Sequence, residues 1–145
     1  MRNLWYHTGD LGRMDEDGYL FFVRRMAESI RFRGRLLSTT EVERIVSSHP
    51  NVIECAVYGV PDEYGQEQDV MVAVRLRPGT TLTAEELLRY TEKDLPYFMV
   101  PRYVRFVAEF QKTPTMRIIK ESLQKQGVTP DTWDRKKAGF KLSRE

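Results

Sequence analysis

Cations are the residues of this chain best placed to do chemistry, and they are clustered. Arg24, Arg25, Arg31, Arg33 and Arg35 crowd one short window, while Arg135, Lys136, Lys137, Lys141 and Arg144 load the tail. Two readings stand side by side: solvated faces that serve solubility, or a surface that meets phosphates. Two further segments carry charge in a defined setting. Tyr6-His7-Thr8-Gly9-Asp10 offers a carboxylate in a loop, and far along the chain Thr113-Pro114-Thr115-Met116-Arg117-Ile118-Ile119-Lys120 offers Arg117 and, one helical turn on, Lys120. His7 and His49 have no partner spacing for a metal or a catalytic triad, so they read as structural and no metal site is expected. The lone Cys55 has no internal disulfide partner. Inside the alternating stretch from Val52 to Gly59 it reads as a small buried apolar residue, not a reactive thiol.

The elements that must position these residues fit into one compact domain with a short appendage, since the chain has 145 residues. Charge is nearly balanced, 23 basic against 21 acidic residues for a net +2, so the whole surface gives little reason to expect polyanion binding. Nucleic acid is further disfavoured by the lack of any RNA- or DNA-binding signature. No apolar run approaches the ~20 residues of a membrane span, and no cleavable signal is visible. A single cysteine suits a reducing compartment, and a cytoplasmic location is expected.

Local patterns give the order of elements. Asp15-Glu16-Asp17-Gly18 is turn chemistry, and the aromatic run from Tyr19 to Val23 follows as a strand, making a small N-terminal hairpin. Ile30 to Phe32 and Leu36-Leu37 flank Arg33-Gly34-Arg35, which predicts a second short hairpin. Ser38-Thr39-Thr40-Glu41 fits a capping box ahead of a helix bearing Val42, Ile45 and Val46 on one face, stopped at His49-Pro50-Asn51. Val52 to Gly59 and Asp69 to Leu76 read as strands. Thr83-Ala84-Glu85-Glu86 is a second capping box, for a helix carrying Leu87, Leu88, Thr91 and Leu95. Tyr103 to Val107 is a further strand, and Ile119 to Gln126 a last helix. The expected fold is α+β: an N-terminal β-hairpin and hinge, then a compact domain with a three-stranded mixed sheet packed by helices.

Taken in order, these segments resemble the C-terminal part of the adenylate-forming (AMP-binding) acyl-CoA synthetases from Tyr6 to Lys120. The tail Thr132-Trp133-Asp134-Arg135 is similar to the carnitine- and crotonobetaine-CoA ligase subgroup. The resemblance implies that residues 1–27 are the tail end of a large adenylation domain and residues 28–145 a small C-terminal lid that swings over it. It implies that Asp10 binds the ribose of ATP or AMP, a task suited to a carboxylate because two oxygens accept from a diol at once. Arg25 is implied to reach the nucleotide, Glu28 to stand at the hinge where aspartate is common, and Gly34 to border the path of the CoA thiol arm. In the family a lysine of a Thr-Gly-Lys segment stabilises charge on the substrate carboxylate and the α-phosphate. Here Met116 stands at the glycine and Arg117 at the lysine. Arginine keeps the cation in a longer, planar fork.

The implied function is the C-terminal portion of an enzyme that joins a carboxylic acid to AMP and then exchanges AMP for CoA. Its substrates would be ATP with Mg2+, held mainly outside this chain, CoA, and a carboxylic acid. Its partner would be the N-terminal adenylation domain of the same protein, without which the chain is expected to be inactive. Two alternatives stay open: a lid serving a carrier protein in place of free CoA, and a degenerate, noncatalytic binding module.

Overall fold

The computed structural model describes residues 8–25 and 29–143, with the side chains of 23–25 outside that description. The first hairpin pairs β1 (Asp10–Met14) with β2 (Leu20–Arg25) in antiparallel register. Its turn is set by Asp15, whose Oδ1 accepts the N–H of Asp17 at 3.1 Å and of Tyr19 at 2.9 Å. This is the side-chain mimic of a backbone turn that Asp favours. The second hairpin, β3 (Ser29–Phe32) and β4 (Arg35–Ser38), turns through Arg33 and Gly34, both left-handed at φ 48° and 73°. Two successive positive φ values are what a tight two-residue connection between right-twisted strands requires.

Helix α1 (Thr39–Ser47) follows directly. The capping box expected at its start is not formed: Ser38 is the N-cap by backbone conformation but its side chain makes no cap hydrogen bond. Ser38 is also the last residue of β4, paired with Ser29, and strand pairing sets its direction. The helix is instead held by Val42, Ile45 and Val46, all buried. At α2 (Ala84–Thr91) the capping box is complete, with Glu86 N–H donating to Thr83 Oγ1 at 3.2 Å and Thr83 N–H to Glu86 Oε2 at 2.8 Å. Leu95 lies past the end of α2, in a turn whose N–H returns to Thr91 O at 3.0 Å. Helix α3 (Lys120–Gln126) ends at Gly127, φ 60°.

The expected mixed sheet is present and gains a fourth strand. Its order is β5 (Val52–Pro61), β6 (Gln68–Leu76), β7 (Tyr103–Phe106), β8 (Trp133–Asp134), antiparallel except for the parallel β6–β7 pair. Two residues are too few for alternation to announce β8 in the sequence. The sheet is covered on both faces. On one, Val57, Val70, Val72, Val74 and Val104 pack with α1, α2, Ile30 and Leu37. On the other, Ala56, Tyr58, Val60, Met71, Ala73 and Tyr103 meet Phe110 and Leu123 of α3. A register shift between Val52 and Glu54 explains why Val52 joins the first face with odd-numbered Cys55 and Val57. One extra residue in a strand inverts the alternation beyond it. Cys55 is buried as expected, and burial pushes its thiol up to about 11. Among the described residues no helix is long and apolar enough to cross a membrane.

Candidate functional site

Arg117 sits on a hairpin built for display. The bridge between Lys112 and Ile118 closes the loop, and Thr113 organises its inside. Thr113 O accepts Met116 N–H at 2.9 Å, Thr113 N–H donates to Arg117 O at 2.8 Å, and Thr113 Oγ1 accepts Arg117 N–H at 3.1 Å. Pro114 occupies the second turn position, where its fixed φ preorganises the bend. Arg117 is exposed, and none of the described residues pairs with its guanidinium. Met116 is left-handed at φ 63° and 71 % exposed. An L side chain in that region costs ~1–2 kcal/mol, so this loop geometry is one that glycine adopts without strain. Met116→Gly is therefore expected to stabilise the fold by about 0.5–1 kcal/mol in denaturant unfolding, with no core contact changed.

Lys120, the nearest alternative cation, is held elsewhere. Its Nζ lies 2.8 Å from Glu43 Oε1 and donates to Thr39 Oγ1 at 3.3 Å, which ties α3 to α1. Glu43 also accepts Val57 N–H at 2.7 Å, so one carboxylate links two helices and the sheet.

Asp10 and Arg25 are brought together by the first hairpin: they are cross-strand partners in the β1–β2 register. Asp10 is exposed and its N–H donates to Thr8 Oγ1 at 3.2 Å. The side chain of Arg25 lies outside the described residues, as do Glu28 and His7 entirely. His49 is structural in its contacts, with Nδ1 accepting Asn51 N–H at 3.2 Å and the ring edge-on to Tyr90 at 4.8 Å. Burial lowers its pKa, against the opposing pull of Glu86.

Gly34 stands at the tip of the second hairpin, beside residues that sequence reasoning did not single out. Glu67 accepts the N–H groups of Arg33 and of Gly34, the latter at 3.1 Å, and Gln68 Oε1 accepts Arg31 N–H at 3.0 Å. Phe32, Arg33, Glu67, Gln68, Tyr97 and Phe98 help line a cavity of about 220 Å³ below this tip. Arg102, which also lines the cavity, is buried and binds three acids: Asp69 at 2.7 Å, Asp134 at 3.2 Å, and Glu63. Burial opposes the charge, yet these partners raise the arginine pKa. Asp134 is likewise opposed by burial but held below the usual carboxylate range by Arg102 and the N–H groups of Lys136 and Lys137. One signal in the sequence pointed here: an arginine embedded in Met99-Val100-Pro101-Arg102-Tyr103-Val104 cannot be buried without counter-charges.

The fold recurs in known proteins. The chain is 41 % identical over 115 residues to the oxalate–CoA ligase of Arabidopsis thaliana, covering 79 % of this chain and 22 % of that protein. It is 35 % identical over 120 residues to the crotonobetaine/carnitine–CoA ligase of Proteus mirabilis, covering 83 % and 23 %. The crystal structure of ATP-bound MatB from Rhodopseudomonas palustris superposes with a TM-score of 0.70 at 29 % identity, over 82 % of this chain and 24 % of that one. The chain thus spans about a quarter of the length of the relatives it matches. Residues 41–117, over half of the chain, match the AMP-binding enzyme C-terminal domain, from the first turn of α1 to the arginine of the display loop, and the protein belongs to that family.

Proposed function

We propose that this chain is the C-terminal portion of an AMP-forming acyl-CoA synthetase, with residues 28–145 as the lid and residues 1–27 as the end of the large adenylation domain. The observation that carries this is Arg117: an exposed guanidinium, free of described partners, on a preorganised loop at the end of the family match. Its charge and planar fork fit a phosphate oxygen pair and a carboxylate. A cation delivered on a fixed loop lowers a barrier by stabilising charge as it develops, without reorganising first. Asp10 is assigned to the ribose diol, Arg25 to the nucleotide, Glu28 to the hinge and Gly34 to the border of the CoA arm. ATP, CoA and a carboxylic acid are the substrates, with Mg2+ entering on ATP and held mainly outside this chain. The CoA-ligase relatives support free CoA over a carrier protein. A cytoplasmic location belongs to the same reading.

The test is pyrophosphate release from ATP by the full-length protein across a panel of carboxylic acids, with and without CoA. Acid-dependent release accompanied by a CoA thioester is expected. The 145-residue chain alone is expected to release none, because the sequence contains no glycine-rich phosphate loop. A folded full-length protein that releases no pyrophosphate would favour the binding-module reading.

A further inference from the structure

The tip of the β3–β4 hairpin is held by a side chain that comes from elsewhere in the sequence. Arg33 and Gly34 are both left-handed, a conformation that turns successive N–H groups toward one side and makes a small concavity for an anion. Glu67 fills it. One oxygen of its carboxylate accepts from Arg33 and the other from Gly34. The neighbouring Gln68 takes the Arg31 N–H, and it reaches that position by lying against Gly59, where a Cβ would come within 2.8 Å of its amide carbon and oxygen. The stem of the hairpin is fixed by different means. Ile30 and Leu37 are buried in the core, and the Arg35 guanidinium lies 5.2 Å from the ring centre of Phe98. Apolar packing therefore anchors the base, whereas the described contacts to the tip N–H groups come from Glu67.

We propose that Glu67 is a positioning residue for the CoA half-reaction: it sets the Arg33–Gly34 turn that borders the thiol arm. This rests on the acyl-CoA synthetase reading, in which Gly34 lines that path. Charged acceptors bind backbone amides more strongly than neutral ones, and a bidentate pair fixes orientation as well as distance. Without Glu67 the turn keeps its sequence and loses its outer support.

The experiment uses the full-length protein carrying Glu67→Ala or Glu67→Gln. Hydrogen exchange of the peptide containing Arg33 and Gly34 is expected to speed up about tenfold in Glu67→Ala, the effect of losing charge-assisted bonds. Glu67→Gln, which keeps one acceptor oxygen and the shape, should fall between. In the same proteins the KM for CoA in thioester formation is expected to rise about tenfold in Glu67→Ala, while acid-dependent pyrophosphate release without CoA stays within about twofold. Unchanged exchange in Glu67→Ala would overturn the proposal. So would equal loss in both half-reactions, or faster exchange with no change in either, since each would leave Glu67 a purely structural residue. If the unmutated protein makes no thioester, the synthetase reading is what fails. The exchange measurement, which needs no substrate, then still decides whether Glu67 holds the turn.

Discussion

Alanine at position 117 is expected to slow acid-dependent pyrophosphate release by the full-length protein by about 10²- to 10³-fold, the usual effect of removing one preorganised group that stabilises charge in a transition state. The expectation follows from the loop as much as from the charge. Thr113 bonds to the backbone at both Met116 and Arg117, so truncating the side chain leaves the hairpin standing and removes only the guanidinium. Arg117→Lys should keep activity within about tenfold, because the ammonium preserves the cation but loses the fork. Lys120→Ala should have a smaller catalytic effect than either. Its ammonium is committed to Glu43 and Thr39, so its loss acts through the α1–α3 contact. Single-turnover pyrophosphate release at saturating acid separates these variants. Recovery of a silent parent protein by Arg117→Lys would instead mark an enzyme that has lost its lysine and its activity together. A large effect of Lys120→Ala with a small effect of Arg117→Ala would reverse the assignment.

Arg102→Met is expected to destabilise this domain by about 3–5 kcal/mol, because it leaves buried acids without their counter-charge. Asp69 and Asp134 are 7 % and 8 % exposed, so water cannot replace the guanidinium without opening the structure. For a domain of this size the loss corresponds to roughly 10 °C or more in the melting temperature. The dependence on pH follows from the direction of the Asp134 shift. Burial opposes the native carboxylate, but Arg102 and nearby backbone amides hold its pKa below the unfolded value. Its contribution is thus present above the ordinary carboxylate pKa and disappears as pH falls through the lowered native value. In Arg102→Met the guanidinium is gone and only the backbone amides oppose burial, so acidification protonates Asp134 more readily and relieves the variant. The gap between the two proteins should narrow from pH 7 to about pH 4. Thermal melts at the two pH values check this. Trp133, which pairs with the Phe140 ring at 6.0 Å in the segment that Asp134 fastens to Arg102, provides a fluorescence signal. A gap that widens in acid would show that the acids are not the source of the loss.

What could be read from the chain followed contiguity. Hairpin turns at Asp15–Gly18 and Arg33–Gly34, the capping box at Thr83–Glu86, and strands with alternating or continuous apolar runs are decided by residues within a few positions of one another. Their local energetics survive in the folded state because nothing distant competes. The Thr113 to Arg117 loop is local in the same way, because it contains its own hydrogen bonds.

Tertiary structure decided everything that depended on a partner far along the chain. Ser38 matched a cap motif, but β-pairing with Ser29 claimed it first. Leu95 has helical spacing, yet α2 ends at Thr91 and the leucine reaches the core from the following turn. Strand β8 exists because Trp133 and Asp134 add to the edge of β7 and because Asp134 meets Arg102, a pairing across 32 residues. Glu67 is a polar residue in a loop until the fold sets it against the amides of Arg33 and Gly34. Lys120, one helical turn beyond Arg117, reads as a solvated helix residue in the sequence, and the approach of α1 ties it to Glu43. The sequence by itself determined the two hairpin turns, the Thr83–Glu86 cap and the strands β5, β6 and β7. Which charges are displayed and which are consumed was settled by packing, since a charge is neutralised by whatever comes within a few ångströms, and that distance is a property of the folded chain.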